Sequence, residues 1–192
     1  MSSLTFTYGV MGSSKSAQAL ITRFNYMQKG INVILAKPSI DNRGDSQDNR
    51  CIRSRIGLSA ECIVFDKNAD MQTLYDKHRI VTKRNVMIID EAQFCTTEQI
   101  NQLKTLSKHI DVHCYGLKTN FRSELFEGSK RLVEIADTLE NIPHICRCGN
   151  HAIINARMIN GVPTIDGEEI HIAGDESYEA LCYDCWQKLM KK

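Results

Sequence analysis

Short apolar runs recur along the first two thirds of the chain, at residues 4–8, 31–36, 61–65, 86–89 and 112–115, and several of them carry no polar face. Runs of this length without polar alternation predict the strands of a parallel sheet covered on both sides. Between the runs the period changes. From Ser16 onward, Ala17, Leu20, Ile21, Phe24 and Met27 recur at helical spacing, and Gly30 supplies a stop. Thr96 and Gln99 fit a capping box ahead of Ile100, Leu103 and Leu106, which predicts another helix. Strand, helix and strand in repeated order give an α/β sheet with helical crossovers.

The pattern changes near Asn141. Ile142-Pro143 interrupts the chain, Cys146-Arg147-Cys148-Gly149 follows, and an extended stretch through Met158 meets an Asn160-Gly161 hairpin signal. A further β-type stretch at residues 170–172 leads to Cys182-Tyr-Asp-Cys185. Residues 1–140 are therefore expected to form the α/β domain, and residues 141–192 a small second lobe. Residues 39–55 are polar and arginine-bearing and are expected to be a mobile surface loop. The chain has neither a solenoid-period repeat nor a low-complexity segment.

Composition narrows the function. The chain has 192 residues, enough for a core of its own, with 24 Lys and Arg against 23 Asp and Glu for a net charge of +1. Such a balance builds in no general attraction to nucleic acid or to an acidic membrane. Residues 1–9 lack the basic and long apolar regions of a secretory signal, and no apolar run approaches the roughly 18–20 residues of a membrane span. A cytoplasmic location is expected. In that compartment thiols stay reduced, so the eight cysteines point to metal binding or catalysis rather than disulfides.

Three motifs carry chemistry. Gly9-Val10-Met11-Gly12-Ser13-Ser14-Lys15-Ser16 lies between the first strand and the first helix, and nearly matches the phosphate-binding P-loop pattern Gly-x-x-x-x-Gly-Lys-Ser/Thr. Backbone N–H groups of such a loop turn inward around phosphate oxygens, Lys15 would neutralise phosphate charge, and the Ser16 hydroxyl would ligate Mg²⁺. Ser14 replaces the usual glycine, which implies strain if that position needs a positive φ. A serine-rich helix cap is the plain alternative. The second motif is the apolar strand ending in Asp90-Glu91, which puts one carboxylate toward Mg²⁺ and leaves the other to accept a proton; an ordinary acidic helix start is its alternative. The third is Cys146-x-Cys148 with Cys182-x-x-Cys185, two close pairs suited to a closed structural Zn²⁺ site that would staple a small lobe, with His151 nearby as a substitute ligand. Cys62 and Cys114 fall in expected strands and read as core residues, while Cys51 and Cys95 have no pairing.

With these motifs in this order, the chain resembles the type II thymidine kinases over essentially its whole length. The resemblance rests on Met11 within the loop, the Asp90-Glu91-Ala92-Gln93-Phe94 box, Tyr115-Gly116-Leu117-Lys118-Thr119-Asn120-Phe121-Arg122, Leu125-Phe126-x-Gly128-Ser129 and the two cysteine pairs. Asp41-Asn-Arg43 followed by Ser54-Arg-Ile-Gly-Leu-Ser59 is similar to the family's flexible loop. The resemblance implies a RecA-like parallel core with a zinc-binding β-lobe carrying a lasso loop. It further implies transfer of the γ-phosphoryl of ATP to the 5′-hydroxyl of thymidine in nucleotide salvage, a homotetramer, and thymidine triphosphate as feedback inhibitor.

The resemblance also assigns residues. Glu91 matches the general base, and residues 9–16 with Asp41, Arg43, Asp90 and Gln93 match the nucleotide side. Met11, Phe94, Leu117, Phe121 and Phe126 match the nucleoside pocket, with Phe94 against the thymine face; Phe121 and Phe126 have packing under the sheet as their alternative. Glu169, Ile170, His171, Ile172 and Tyr178 fall in the matching lasso, where His171 also reads as an outward hairpin residue. The arginines at 50, 53 and 55 are expected to be solvated, and Arg43 to touch phosphate. A DNA-remodelling ATPase with a zinc ribbon is the competing class, disfavoured by the net charge and by a lobe without a dense basic face. A relative that binds nucleotide but has lost turnover through Ser14 is the third reading.

Overall fold

The computed structural model describes residues 2–39, 50–166 and 178–191. Its first part runs β1 (Leu4–Tyr8), α1 (Lys15–Gln28), β2 (Asn32–Pro38), β3 (Cys51–Arg53), β4 (Ser59–Glu61), β5 (Ile63–Phe65), α2 (Met71–His78) and β6 (Asn85–Ile89). A 3-10 turn at Ala92–Phe94 follows, then α3 (Thr97–Leu106), β7 (Asp111–Gly116), α4 (Glu127–Ile135), β8 (Thr138–Asn141), β9 (Ile154–Ile159), β10 (Val162–Thr164), β11 (Tyr178–Leu181) and α5 (Tyr183–Met190).

The apolar runs build one sheet of order β5-β2-β6-β7-β1-β8, with every pairing parallel. Successive side chains leave a strand on opposite faces. Met87 and Ile89 therefore join Leu4, Phe6 and Val112 under Met71 of α2, Leu103 of α3 and Leu132 of α4. Val86 and Ile88 face the other way, toward Ala19 and Leu20 of α1. Both faces are covered, which is why β6 has no polar side. The Thr96 capping box forms as expected: Gln99 N–H donates to Thr96 Oγ1 at 3.2 Å, and Thr96 N–H to Gln99 Oε1 at 3.1 Å. Cys114 is core, as expected, whereas Cys62 is only half-buried and lies just before β5.

Three features depart from the sequence pattern. The sixth strand, β8, has four exposed side chains and no apolar run; it is held to β1 through main-chain pairing and a 3.0 Å hydrogen bond from Thr7 Oγ1 to Glu140. The polar segment expected to be a surface loop contains β3, which pairs antiparallel with β4 and buries Ile52 beside Ala19 and Leu20; residues 40–49 lie outside the described residues. Helix α1 is rotated from its apolar stripe. It meets the sheet through Leu20 and through two polar contacts of 2.9 Å, Tyr26 Oη to His113 Nε2 and Thr22 Oγ1 to Tyr115 Oη, leaving Ile21, Phe24 and Met27 exposed.

The C-terminal strands form a separate antiparallel sheet of order β10-β9-β11. Its hairpin turns at Asn160 and Gly161, both with left-handed backbone at φ 49° and 79°, the geometry that the Asn-Gly pair favours. Ile154, Ala156 and Leu181 form the lobe's apolar cluster with Cys146 and Cys182, and Val10 from the 9–16 loop completes it.

One close approach fixes α4. A Cβ at Gly128 would lie 2.5 Å from the carbonyl oxygen of Ala92 and 2.7 Å from that of Cys95, so the helix can cross this backbone only with glycine there. In an open helix Gly→Ala gains roughly 0.5–1 kcal/mol. Here Gly128→Ala is expected to destabilise the protein by about 1–3 kcal/mol through overpacking, read as a lower urea midpoint; a midpoint at or above wild type would contradict the crossing.

Candidate active site and cysteine centre

Neighbouring parallel strands end at the same edge of the sheet. Tyr8 at the end of β1 pairs with Gly116 at the end of β7, and Ile89 of β6 pairs with Cys114 of β7. The segments that leave these ends are the 9–16 loop, Asp90 with Glu91, and Leu117. Gly9 N–H reaches Gly116 O at 3.4 Å, tying the first to the third. A crevice at the carboxyl ends of parallel strands is where such sheets bind ligands.

The 9–16 loop adopts the strained form expected of it: Ser14 sits at φ 64°, ψ 26° immediately before α1. The buried Lys15 ammonium donates to Val10 O at 2.8 Å and to Ser13 Oγ at 3.5 Å, so the charge is held over the loop's own oxygens. Across from it, Asp90 is buried and hydrogen-bonded by Ser16, while its Oδ1 has no hydrogen-bond partner. Burial, then the adjacent Glu91 charge, pushes the Asp90 carboxyl up to about 7, against the pull of the Ser16 hydrogen bond and the Lys15 charge. An orphaned carboxylate oxygen beside a hydroxyl is a hard-oxygen donor set, and it fits Mg²⁺.

Glu91 is also in the left-handed region, at φ 53°, ψ 37°, which turns it away from the line of β6. Gln93 holds it. The Gln93 amide donates to Glu91 Oε2 at 2.5 Å and accepts from Leu117 N–H at 3.0 Å. Gln93, expected on the nucleotide side, is thus buried with both ends of its amide used inside the protein, linking the carboxylate to the end of β7. Phe94 meets Phe126 edge-on, with centroids 5.7 Å apart. Phe94 and Met11 keep open surface, while Leu117 and Phe126 are buried. Phe121 is enclosed, with the Arg122 guanidinium 5.1 Å and the Arg157 guanidinium 5.6 Å from its ring centre, which favours its packing alternative. Tyr178 opens β11 opposite Arg157, half-buried. Asp41, Arg43, Glu169, Ile170, His171 and Ile172 lie outside the described residues.

The four cysteines of the two pairs converge. The sulfurs of Cys146, Cys148, Cys182 and Cys185 all lie within 4.8 Å of one another, with Cys148 and Cys182 at 3.6 Å. Zn–S bonds of about 2.3 Å in a tetrahedron place sulfurs about 3.8 Å apart, so the donor set fits Zn²⁺. His151 is exposed and is not in this cluster. Two turns shape the site: Gly149, at φ 87°, returns its N–H to Cys146 O at 2.9 Å, and Cys182 caps α5 with its sulfur accepting from Cys185 N–H at 3.5 Å. Burial raises the Cys146 thiol, but the Cys148 and Cys182 main-chain and side-chain hydrogen bonds outweigh it and bring it down to about 7; the Cys148 and Cys182 thiols push Cys185 up to about 12.

Three residues join the site without a spacing motif. The Arg55 guanidinium Nη1 and His144 Nε2 lie 3.3 Å and 3.6 Å from where a Cβ would stand on Gly12, so two basic side chains border the loop. Arg55 is exposed on the turn after β3, as expected, and its guanidinium is also a neighbour of the 9–16 loop. Asn155 reaches the Met11 N–H from β9. Its one sequence signal is a polar residue inside the apolar run of β9.

The raised Asp90 carboxyl has a stability consequence. Its folded value lies above the unfolded one of 3.8, so its contribution is fully present below about pH 4 and is lost as pH rises through about 7. Asp90→Asn removes that loss. In EDTA, the variant is expected to melt above wild type at pH 8, with the gap closing toward pH 4; parallel melting curves across this range would contradict the burial of an unsatisfied carboxylate.

The comparisons with known proteins agree with the geometry. The family model described as thymidine kinase matches residues 2–186. The chain is 40% identical to a thymidine kinase of Enterobacteria phage T4 over 100% of its own length and 99% of the phage protein. It is 40% identical to one of Legionella pneumophila strain Paris, covering 95% of this chain and 88% of that protein, and 35% identical to one of Rhodopirellula baltica, covering 95% and 86%. A strand-end acid pair beside a lysine-bearing loop, a half-open aromatic and a four-sulfur lobe are thus set in a chain that belongs to the thymidine kinase family.

Proposed function

We propose that the chain transfers the γ-phosphoryl of ATP to the 5′-hydroxyl of thymidine, giving thymidine monophosphate and ADP in pyrimidine deoxynucleotide salvage. The observation that carries the reading is the Glu91 carboxylate, held by Gln93 at 2.5 Å at the strand edge that also carries the 9–16 loop. Loop amides and Lys15 bind the phosphates and stabilise charge on the migrating group. Ser16 and Asp90 would hold Mg²⁺, whose charge neutralises phosphate oxygens when bound. Glu91 accepts the proton of the sugar hydroxyl and aligns it for attack. Phe94 and Met11 offer the open apolar surface on which a planar pyrimidine stacks, and Leu117 and Phe126 back it.

Cys146, Cys148, Cys182 and Cys185 would hold a structural Zn²⁺ that fastens the lobe and, with it, the residues 169–178 assigned to the lasso. Such a thiolate site requires reduced cysteines, which supports a cytoplasmic location. The exposed Ile21, Phe24 and Met27 on α1 support association with further copies of the chain, in keeping with a homotetramer. Thymidine triphosphate would act as feedback inhibitor by occupying the lasso-covered nucleoside site.

Two measurements test this reading. Glu91→Gln is expected to lower kcat by about 10²–10⁴-fold while thymidine still binds; full turnover by the variant would exclude Glu91 as the base. Elemental analysis is expected to find one zinc per chain in the wild type and none in Cys185→Ser; zinc retained by the variant would exclude the four-sulfur site.

A further inference from the structure

Asn155 occupies the second position of β9, buried between Ile154 and Ala156 of the cysteine lobe's apolar cluster. Its side chain leaves that cluster for the main α/β body. Oδ1 accepts the Met11 N–H at 2.6 Å, and Nδ2 donates to the carbonyl oxygen of Thr119 at 3.1 Å. Both partners are main-chain groups. Met11 belongs to the loop after β1, and Thr119 to the segment after β7.

The two ends of one planar amide therefore span the two segments that flank the reaction. An asparagine is suited to this because it offers an acceptor and a donor at a fixed separation on a short, uncharged stem. A carboxylate there would put negative charge beside the phosphates and lose the donor. The attachment is reinforced next door, where Val10 packs into the same cluster as Ile154 and Ala156. The Met11 N–H, turned toward Asn155, is withdrawn from the set of loop amides that face an anion. None of these contacts is needed by a lobe whose only task is to carry the lasso.

We propose that Asn155 is a positioning residue for phosphoryl transfer: it sets the distance between the phosphate loop and the segment after β7, whose Leu117 backs the nucleoside site, so that the sugar hydroxyl meets the γ-phosphorus in line. Through it, the cysteine lobe sets the geometry of both substrates. The inference rests on the kinase reading above.

The test uses the full chain and two variants, N155A and N155D. N155A removes both contacts, whereas N155D has the same shape and keeps the acceptor for Met11 but has no proton for Thr119 O. Bound zinc, the urea midpoint, and kinetics with each substrate varied at saturation of the other are measured for each. Both variants are expected to keep the wild-type zinc content, and to lose about 10- to 100-fold in kcat/KM for thymidine, as misplacement of a reacting group does. In N155A the loss is expected in kcat as well as in KM. Wild-type kcat and thymidine KM in either folded variant would overturn the proposal, as would a loss of rate that only follows the unfolded fraction with KM unchanged. If N155A does not fold, the shape-conserving N155D decides. A wild-type protein that phosphorylates no thymidine would instead refute the kinase reading itself.

Discussion

Parallel pairing of β6, β7 and β1 is the constraint on which the site depends. With Tyr8 opposite Gly116 and Ile89 opposite Cys114, three segments far apart in the chain must leave the sheet side by side. The 9–16 loop, the acid pair and Leu117 are then neighbours by main-chain hydrogen bonding, before any side chain contributes. The apolar faces of β6 secure that pairing because helices cover both of its sides. Gln93 adds the finer link, joining the carboxylate after β6 to the first amide after β7.

The site stores energy that the surrounding packing supplies. Ser14 and Glu91 both hold left-handed backbone without being glycine, conformations that cost of order 1–3 kcal/mol each. Asp90 adds a buried oxygen without a partner. Such features persist where structure over-determines them, and here all three lie within the 9–16 loop and at the end of β6. The electrostatics are preorganised accordingly: Lys15 is held in place by loop oxygens, and Asp90 is held by Ser16. The charged ligand proposed for this edge would meet groups that are already oriented, with little reorganisation.

The cysteine lobe is less independent than its composition suggests. Its apolar cluster is small, and two of its buried members are cysteines of the four-sulfur centre. Val10 comes from the 9–16 loop itself. Fastening the lobe therefore also fastens that loop from behind, and the Asn155 amide extends the connection to Thr119. An ion pair between Arg147 and Glu179 ties the first cysteine turn to β11, again within the lobe.

Much of this was legible in one dimension. Short apolar runs mark the strands, most plainly residues 86–89, where two buried faces leave no polar position, and such runs located the five strands of the main sheet that carry one. The Thr96 capping box, the Asn160-Gly161 turn and the cysteine pairs are local, and each depends on residues close in sequence. The edge strand β8 was not legible, because its pairing with β1 uses main chain and its side chains are exposed. Nor was the rotation of α1, which polar contacts from Tyr26 and Thr22 decide against the apolar stripe. By itself the sequence determined which groups are available: a lysine-bearing loop, an acid pair at a strand end, and four thiols. Only the tertiary structure decided that Gln93 joins Glu91 to Leu117, that Arg55 borders the loop and that Asn155 bridges two segments, since each links distant parts of the chain and the partner is often a main-chain group with no sequence signature.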